Sequence, residues 1–463
     1  MDHRTDRQTD AMTDTIAALS TPPGEGGIGI IRLSGPEAAA LALGLFRRAD
    51  GSALARPTPF RQYYGHIRHP ETGDVVDEVL LSVMRAPRSY TREAMAEISA
   101  HGGPLPLREI LGLLCRAGAR LARPGEFTER AFLHGRLDLT QAEAVLDTIR
   151  ACTEAGLRAA QRALRGELAA RIRGLRARLV ALLAALEAAI DYADEDIAVL
   201  SSAEIAAEIA ALRAATEELI ASHRQGCLLR DGAAAVIIGR PNTGKSSLLN
   251  ALLGEARAIV TAVPGTTRDV IEEQLDVGGV PLRLMDTAGI RPTDDEVERQ
   301  GVARSETALA DADVLLLVLD GSAPLTAEDR ALLARARGRP AILIVNKADL
   351  PLAVALSELG AHVMISARTG AGLPALRQAI ADLLLGGAVA AQSPLLASLR
   401  QRAAAEEAAR ALAQAEATLR AGGSEELLAV DLTAAADALG ALTGDHARDE
   451  VIQELFSRFC VGK

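Results

Sequence analysis

Apolar residues recur at three- and four-residue spacing through the middle of the chain. Ile172, Leu175, Leu179, Leu182, Leu186 and Ile190 fall on one helical stripe. From about Gln141 to His223 the composition is dominated by Ala, Leu, Glu and Arg, and no proline occurs between Pro124 and Pro241. The pattern predicts long helices packed into a bundle. A second proline-free helical stretch runs from Leu395 to the end, closing with Val451, Ile452, Leu455, Phe456 and Phe459 on one predicted face.

Between these blocks the period changes. From Gly232 to about Gly387, short β-rich runs alternate with helical segments: Ala235 to Ile238, Leu282 to Met285, Val314 to Leu319, Ala341 to Val345 and Val363 to Ile365. That alternation predicts βαβ units on a mostly parallel sheet, an α/β domain inserted into an α domain. The first 130 or so residues carry Gly and Pro punctuation, alternating runs at Gly29 to Leu33 and Val79 to Val83, and a helical pattern at Leu105 to Cys115. They read as a compact α+β domain.

Length agrees with a multidomain α+β chain, since 463 residues correspond to about three domains. With aromatics at 2% and no Trp, the cores must be built from Ala, Leu, Val and Ile. No apolar run approaches the length of a membrane span, and the residues before Ile16 lack the apolar region of a signal peptide, so a soluble cytoplasmic protein is expected. Cys115, Cys152, Cys227 and Cys460 form no C-x-x-C pair, which points to neither zinc nor a disulfide framework. A net charge of −11 argues against a chain that coats nucleic acid through its overall field.

The chemistry concentrates in the α/β block. Gly239-Arg-Pro-Asn-Thr-Gly-Lys245-Ser246 follows a strand and opens a helix, the setting a phosphate loop requires. Its glycines let backbone N–H groups of Asn242, Thr243, Gly244, Lys245, Ser246 and Ser247 turn toward phosphate; Lys245 reaches the β/γ oxygens and Ser246 offers its hydroxyl to Mg²⁺. Asp286, Thr287, Ala288 and Gly289 supply an acid for hydrated Mg²⁺ and an N–H to sense the γ-phosphate. Asn346, Lys347 and Asp349 follow the next strand. The Asp349 carboxylate can accept from N1–H and the 2-amino group of guanine, donors that adenine lacks, so GTP is favoured over ATP. Ser366, Ala367 and Arg368 would complete the base pocket with backbone groups, and Thr267, in Gly265-Thr-Thr-Arg-Asp269, is a candidate second Mg²⁺ ligand on a switch loop.

Ile290 follows Gly289 and cannot orient a water as Gln would. Asn242 offers an oxygen near the β/γ bridge, where a monovalent cation could do the work of an arginine finger. Glu298 is either the water-orienting acid or part of a solvated acidic turn.

Several motifs resemble the MnmE (TrmE) family of tRNA modification GTPases along nearly the whole chain. They are Thr21-Pro-Pro-Gly24 through Gly35, His101-Gly-Gly-Pro104, Arg123-Pro-Gly-Glu-Phe-Thr-Glu-Arg-Ala-Phe132, Leu137-Asp-Leu-Thr-Gln-Ala-Glu143 and Cys460-Val-Gly-Lys463. The resemblance implies an N-terminal α+β folate-binding-like domain that dimerises (1–134), a discontinuous helical domain (135–231 and 389–463) and an inserted Ras-like α/β G domain (232–388). It further implies a homodimer working with an FAD-dependent MnmG-like partner on the wobble uridine of tRNA, with no membrane involved. The one-carbon donor would be a formyl- or methylene-tetrahydrofolate held by positions matching Arg32, Glu97, Arg136 and Lys463. K⁺ would be held by positions matching Asn242, Thr261, Val263 and Thr266, Thr261 and Thr266 also lying on the nucleotide, and Glu298 would orient water.

The chain departs from the family pattern at Arg92, Ala94 and Arg136, where Gly, Asp and Lys are usual. Residues 1 to 12 precede the family's usual start, and Met12 is a second candidate initiator. Cys460 is either a nucleophile toward C6 of uracil or a small apolar residue closing a helix. A GTP-switched ribosome assembly factor would carry an RNA module such as a KH element, and a self-assembling scaffold a basic amphipathic helix; neither is visible.

Overall fold

The computed structural model describes residues 14–191, 201–255, 274–285, 312–386, 394–445 and 449–463. They form two compact units, one gathering the chain up to Leu146 with Thr443–Lys463, the other Asp147–Leu442.

The first unit is built on a seven-stranded sheet: β1 (Ile16–Leu19), β2 (Gly26–Ser34), β3 (Phe46–Arg48), β4 (Gln62–Arg68), β5 (Val75–Met84), β6 (Met95–Gly102) and β7 (Arg120–Leu121), in the order β3-β4-β5-β6-β2-β1-β7. All pairings are antiparallel except β1 with β7. Period-2 alternation sends Val79, Leu81 and Val83 of β5, with Ile31, Leu33, Ile67 and Ile98, into one core. Helices α1 (Ala38–Leu45) and α2 (Pro104–Arg116) cover that face through Ala38, Ala42, Ile110 and Leu113. The opposite face carries Arg32 of β2 directly across from Glu97 of β6. Helix α3 (Glu126–Leu133) adds a buried ion cluster, in which Arg130 meets Asp14, Glu93 and Glu126 while Arg120 meets Asp14 and Glu126.

The C-terminal segment of this unit corrects one expectation. The helix Asp449–Ser457 stops before Phe459, which lies beyond it in a turn and packs on Phe456 with ring centroids 5.5 Å apart. The chain then runs on as an irregular segment, bridging Val461 to Pro124.

Helix α4 (Leu139–Arg150) follows α3 in the chain; in the second unit α5 (Glu154–Leu164), α6 (Glu167–Asp191) and α7 (Ser202–Asp231) precede the sheet, and α11 (Leu399–Arg420) and α12 (Glu425–Thr443) follow it. The predicted stripe is buried at Ile172, Leu175, Leu179, Leu182 and Leu186 against Ile209, Leu212, Leu412, Leu432 and Leu439, while Ile190 is half-buried. Ser201 and Glu204 form a reciprocal capping box at the start of α7. The C-terminal helical stretch is interrupted at Gly422-Gly423, where the Gly423 N–H returns to Thr418 O and closes α11.

The α/β part has six strands: β8 (Ala233–Ile238), β9 (Gln274–Val277), β10 (Val280–Met285), β11 (Val314–Asp320), β12 (Ala341–Asn346) and β13 (His362–Met364), in the order β13-β12-β11-β8-β10-β9. Only β9 runs antiparallel. Buried runs such as Val314 to Leu319 show no alternation because both faces are covered. Helices α8 (Lys245–Glu255), α9 (Ala327–Ala336) and α10 (Leu373–Leu385) belong to this layer. The loops after β8, β12 and β13 all leave the carboxyl edge of the sheet, where ligands of open α/β sheets bind. Among the described residues no helix is long and apolar enough to cross a membrane, and no group of three or more His, Cys, Asp or Glu could hold a metal.

Candidate functional site

The phosphate loop occupies the turn between β8 and α8. Asn242 takes a left-handed conformation (φ 65°), and Thr243, fully buried, donates its hydroxyl to Arg240 O at 3.0 Å. Lys245 Nζ donates to Gly239 O and Arg240 O at 2.8 and 2.7 Å, so its ammonium lies over the loop, and burial lowers its pKa. Ser246 and Ser247 are exposed in the first turn of α8, where free N–H groups and the helix dipole favour an anion. Arg240 is anchored from outside the loop by the buried carboxylate of Asp329 at 2.8 Å, itself fixed in a capping box with Thr326.

The candidate base pocket is organised by Asn346. Its Nδ2 donates to Thr243 O at 2.9 Å and its Oδ1 accepts from Ala367 N at 3.0 Å, so one buried amide ties the phosphate loop to the loop after β13. Asp349 accepts from the Ser366 hydroxyl at 2.7 Å, and that bond holds its carboxyl below the usual range. Lys347 pairs with Asp320 at 2.6 Å. Gly244, Ser247, Asn346, Lys347, Asp349 and Arg368 are among the residues lining one cavity of about 620 Å³. Thr261, Val263, Thr266, Thr267, Asp286, Thr287, Ala288, Gly289, Ile290 and Glu298, expected at the switch segments, lie outside the described residues, as do residues 1 to 12.

The first unit gathers a second cluster. Glu97 Oε1 accepts from Arg32 Nε at 2.8 Å and lies the same distance from Nη2 in an ion pair, while its second oxygen has no partner among the described residues. The Tyr90 ring lies beside two guanidinium groups, Arg136 at 4.6 Å and Arg32 at 5.7 Å. The C-terminal segment enters the same place: Ser20 Oγ and Arg32 Nη1 both donate to Gly462 O, at 3.1 and 3.4 Å. Gly462 has φ 94°, and any Cβ there would strike Leu19 O, so only glycine lets the tail lie this close to β1. Burial lowers the pKa of Lys463, as does neighbouring Arg32, against the pull of Glu97 and Cys460. Arg32, Glu97 and Arg136 from the first third of the sequence thus share one place with Lys463, and Cys460 is exposed nearby.

Two family profiles cover almost the whole chain: the GTP-binding protein TrmE N-terminus matches residues 15–136, and the MnmE helical domain matches residues 139–460. The tRNA modification GTPase MnmE of Chloroflexus aurantiacus is 50% identical over 459 residues, which is 98% of this chain and 100% of that protein. The chain belongs to the tRNA modification GTPase MnmE family. The proteins of the same description from Heliobacterium modesticaldum (47% identical, 97% of this chain and 99% of that protein) and Moorella thermoacetica (48%, 98% and 100%) agree.

As a member of the MnmE family the chain is a GTPase. Sequence reasoning passed over three residues that the geometry brings forward: Tyr90, Asp320 and Asp329. Tyr90 could have been singled out as one of only four tyrosines, and the Thr326-x-x-Asp329 spacing is a capping-box signal. Asp320 left no such mark, since its partner Lys347 lies on a different strand end.

Proposed function

We propose that this chain is a K⁺-stimulated GTPase that, with an FAD-dependent MnmG-like partner, adds an aminomethyl or carboxymethylaminomethyl group to C5 of the wobble uridine of certain tRNAs. It works as a cytoplasmic homodimer and draws its carbon from a formyl- or methylene-tetrahydrofolate. The observation that carries the reading is the convergence of Arg32, Glu97, Tyr90, Arg136 and Lys463 in the unit that does not hold the phosphate loop.

The donor set suits a pterin with a glutamate tail. The unpartnered oxygen of Glu97 can accept from the pterin's amino and ring N–H groups, Tyr90 offers a face, and Arg136 and Lys463 can meet carboxylates. Such a folate supplies the one-carbon unit when bound. Arg136 stacks on Tyr90 as a planar fork, a contact that a lysine at this position would make differently. Cys460, which is exposed, would serve either as a nucleophile toward a pyrimidine or as a small residue closing the C-terminal segment, while in the nucleotide site Ser246 would hold Mg²⁺ and Asn242 would hold K⁺.

The test is mass spectrometry of wobble-uridine nucleosides from cells lacking the gene, complemented with wild type or with a Lys463→Ala variant. Loss of C5-aminomethyl nucleosides, restored by wild type and not by the variant, supports the reading; unchanged nucleosides in the deletion strain overturn it. GTP hydrolysis at equal rates in K⁺ and Na⁺ at matched ionic strength would overturn the monovalent-cation assignment.

A further inference from the structure

The chain has six Phe and four Tyr, and Phe60, Tyr63 and Tyr64 fall within a five-residue stretch. Core aromatics such as Phe46 and Phe127 are fully buried, yet Phe60 is 60% exposed. Its backbone is left-handed (φ 61°), an uncommon state for a bulky residue, which persists only where the surroundings impose it. They do so here: Phe60 N–H donates to Val83 O at 2.9 Å, and Thr58 N–H donates to the Tyr63 hydroxyl at 2.7 Å. The loop is therefore pinned at both sides of the ring, and the ring faces water.

Arginines flank Phe60 along the chain and beyond its backbone partner Val83. Its bond to Val83 sets it beside the end of β5, from which the chain continues into Arg85 and Arg88, closed by a turn from Arg88 N–H to Arg85 O. Arg61 stacks on Tyr63 at 5.7 Å. The segments 47–61 and 85–89 carry Arg47, Arg48, Arg56, Arg61, Arg85 and Arg88 against the single acid Asp50, in a chain whose net charge is −11. Arg56, Arg61, Arg85 and Arg88 are exposed, and among the described residues none makes an ion pair. Arginines of the helical bundle behave otherwise: Arg158, Arg162, Arg171 and Arg178 are each engaged by a glutamate.

We propose that this loop pair is a stacking platform for a single-stranded RNA segment, with an unpaired base on Phe60 and phosphates on Arg61, Arg85 and Arg88. An exposed ring on a pinned loop, flanked along the chain by arginines that make no ion pair among the described residues, offers a face to a splayed base and cations to its phosphates. The proposal rests on the tRNA reading given above and deepens it. Arg88 lies two residues before Tyr90, so an RNA loop held here is led along the chain toward the cluster of Arg32, Glu97 and Lys463.

The test is fluorescence anisotropy of the full-length chain with a labelled tRNA transcript across a series of salt concentrations. Phe60→Ala is expected to weaken binding about tenfold, with Phe60→Tyr restoring it and Phe60→Leu failing to. Arg85→Ala with Arg88→Ala should weaken binding and flatten the salt dependence by about one to two counterions. Unaltered melting temperature and basal GTP hydrolysis report that the variants fold. Wild-type affinity in all variants overturns the platform, and so does retained tRNA affinity with lost binding of the flavoprotein partner. Nucleoside analysis of the deletion strain separates the two readings. If wobble modification needs the gene but the variants bind normally, only the platform falls; if modification does not need the gene, the tRNA reading falls and takes the platform with it.

Discussion

Asn346 stands where a side chain at residue 244 would have to go: a Cβ added to Gly244 would collide with Asn346 Nδ2, the atom that donates to Thr243 O. Gly244 also has φ 92°, so its glycine answers two constraints at once. Gly244→Ala should therefore push the Asn346 amide off the phosphate loop and the loop after β13 with it. GTP affinity is expected to fall by about two orders of magnitude, read by titration with a fluorescent GTP analogue, while the melting temperature of the first unit does not move. Unchanged affinity would show that Asn346 does not couple the two loops.

The proposed base selection makes Asp349 the deciding residue. Its carboxylate takes the Ser366 hydroxyl on one oxygen, leaving acceptor capacity toward the cavity. Asp349→Asn keeps the shape but turns an acceptor into an amide that presents a donor, which suits a base with an oxygen at C2 in place of the 2-amino group. The variant should lose GTP hydrolysis and gain activity with xanthosine triphosphate. Competition between the two nucleotides in a steady-state phosphate-release assay checks it, and continued preference for GTP would remove Asp349 from the base pocket.

The parts of this molecule that were legible in sequence are those where chemistry fixes the spacing. The phosphate loop, Asn346 to Asp349, and the Ile172 to Leu186 stripe depend on backbone N–H groups, a single carboxylate or a helical period, all of which are local. Strand ends were read to within a residue or two, as at β13, which stops at Met364 and leaves Ile365 in the following loop. Phe459 was misplaced because an apolar residue at helical spacing can be buried from a turn as well as from a helix. Tyr90 and Asp320 were not legible because each takes its role from a partner brought in by tertiary structure, Arg136 and Lys347 respectively. The same holds for the unpaired state of Arg85 and Arg88, since sequence displays an arginine but not whether a glutamate reaches it.

Lys463 carries a burial cost that a folate-binding role would explain. Burial and the Arg32 guanidinium lower its pKa, so the ammonium is held in the site at a cost that Glu97 only partly offsets. Between the lowered value and the ordinary 10.5 the unfolded chain binds more protons, so this group makes stability rise with pH across that interval. Lys463→Met removes the cost and keeps the stem. It should raise the melting temperature by about one or two degrees near neutral pH and weaken folate binding about tenfold, measured by thermal shift and by calorimetric titration with a reduced folate. A melting temperature that falls would mean that attraction to Glu97 outweighs burial.

Glu126 sets the acid limit of the first unit. Burial pushes its carboxyl up, but the hydrogen bonds from Arg120 and from Arg123 N–H, with the charges of Arg120 and Arg130, outweigh burial and bring it down to about 2 from the ordinary 4.5. A depressed carboxylate contributes stability that is fully present above its unfolded value and is lost as pH falls through the folded one, so the loss should run from about pH 4.5 to about pH 2. Arg130 is nearly as buried as Glu126 and would lose one of its three carboxylate partners on Glu126→Gln. Arg130 keeps Asp14 and Glu93, so the substitution should cost only the lost charge-assisted hydrogen bonds, about 2 kcal/mol at neutral pH. It should also flatten the acid limb, since the difference between wild type and variant closes as Glu126 itself becomes protonated. Urea unfolding followed at a series of pH values reads both quantities. A difference that stays constant from neutral pH down to about pH 2 would place the acid sensitivity in Asp14 instead, whose carboxyl Arg120 and Arg130 hold below its ordinary value.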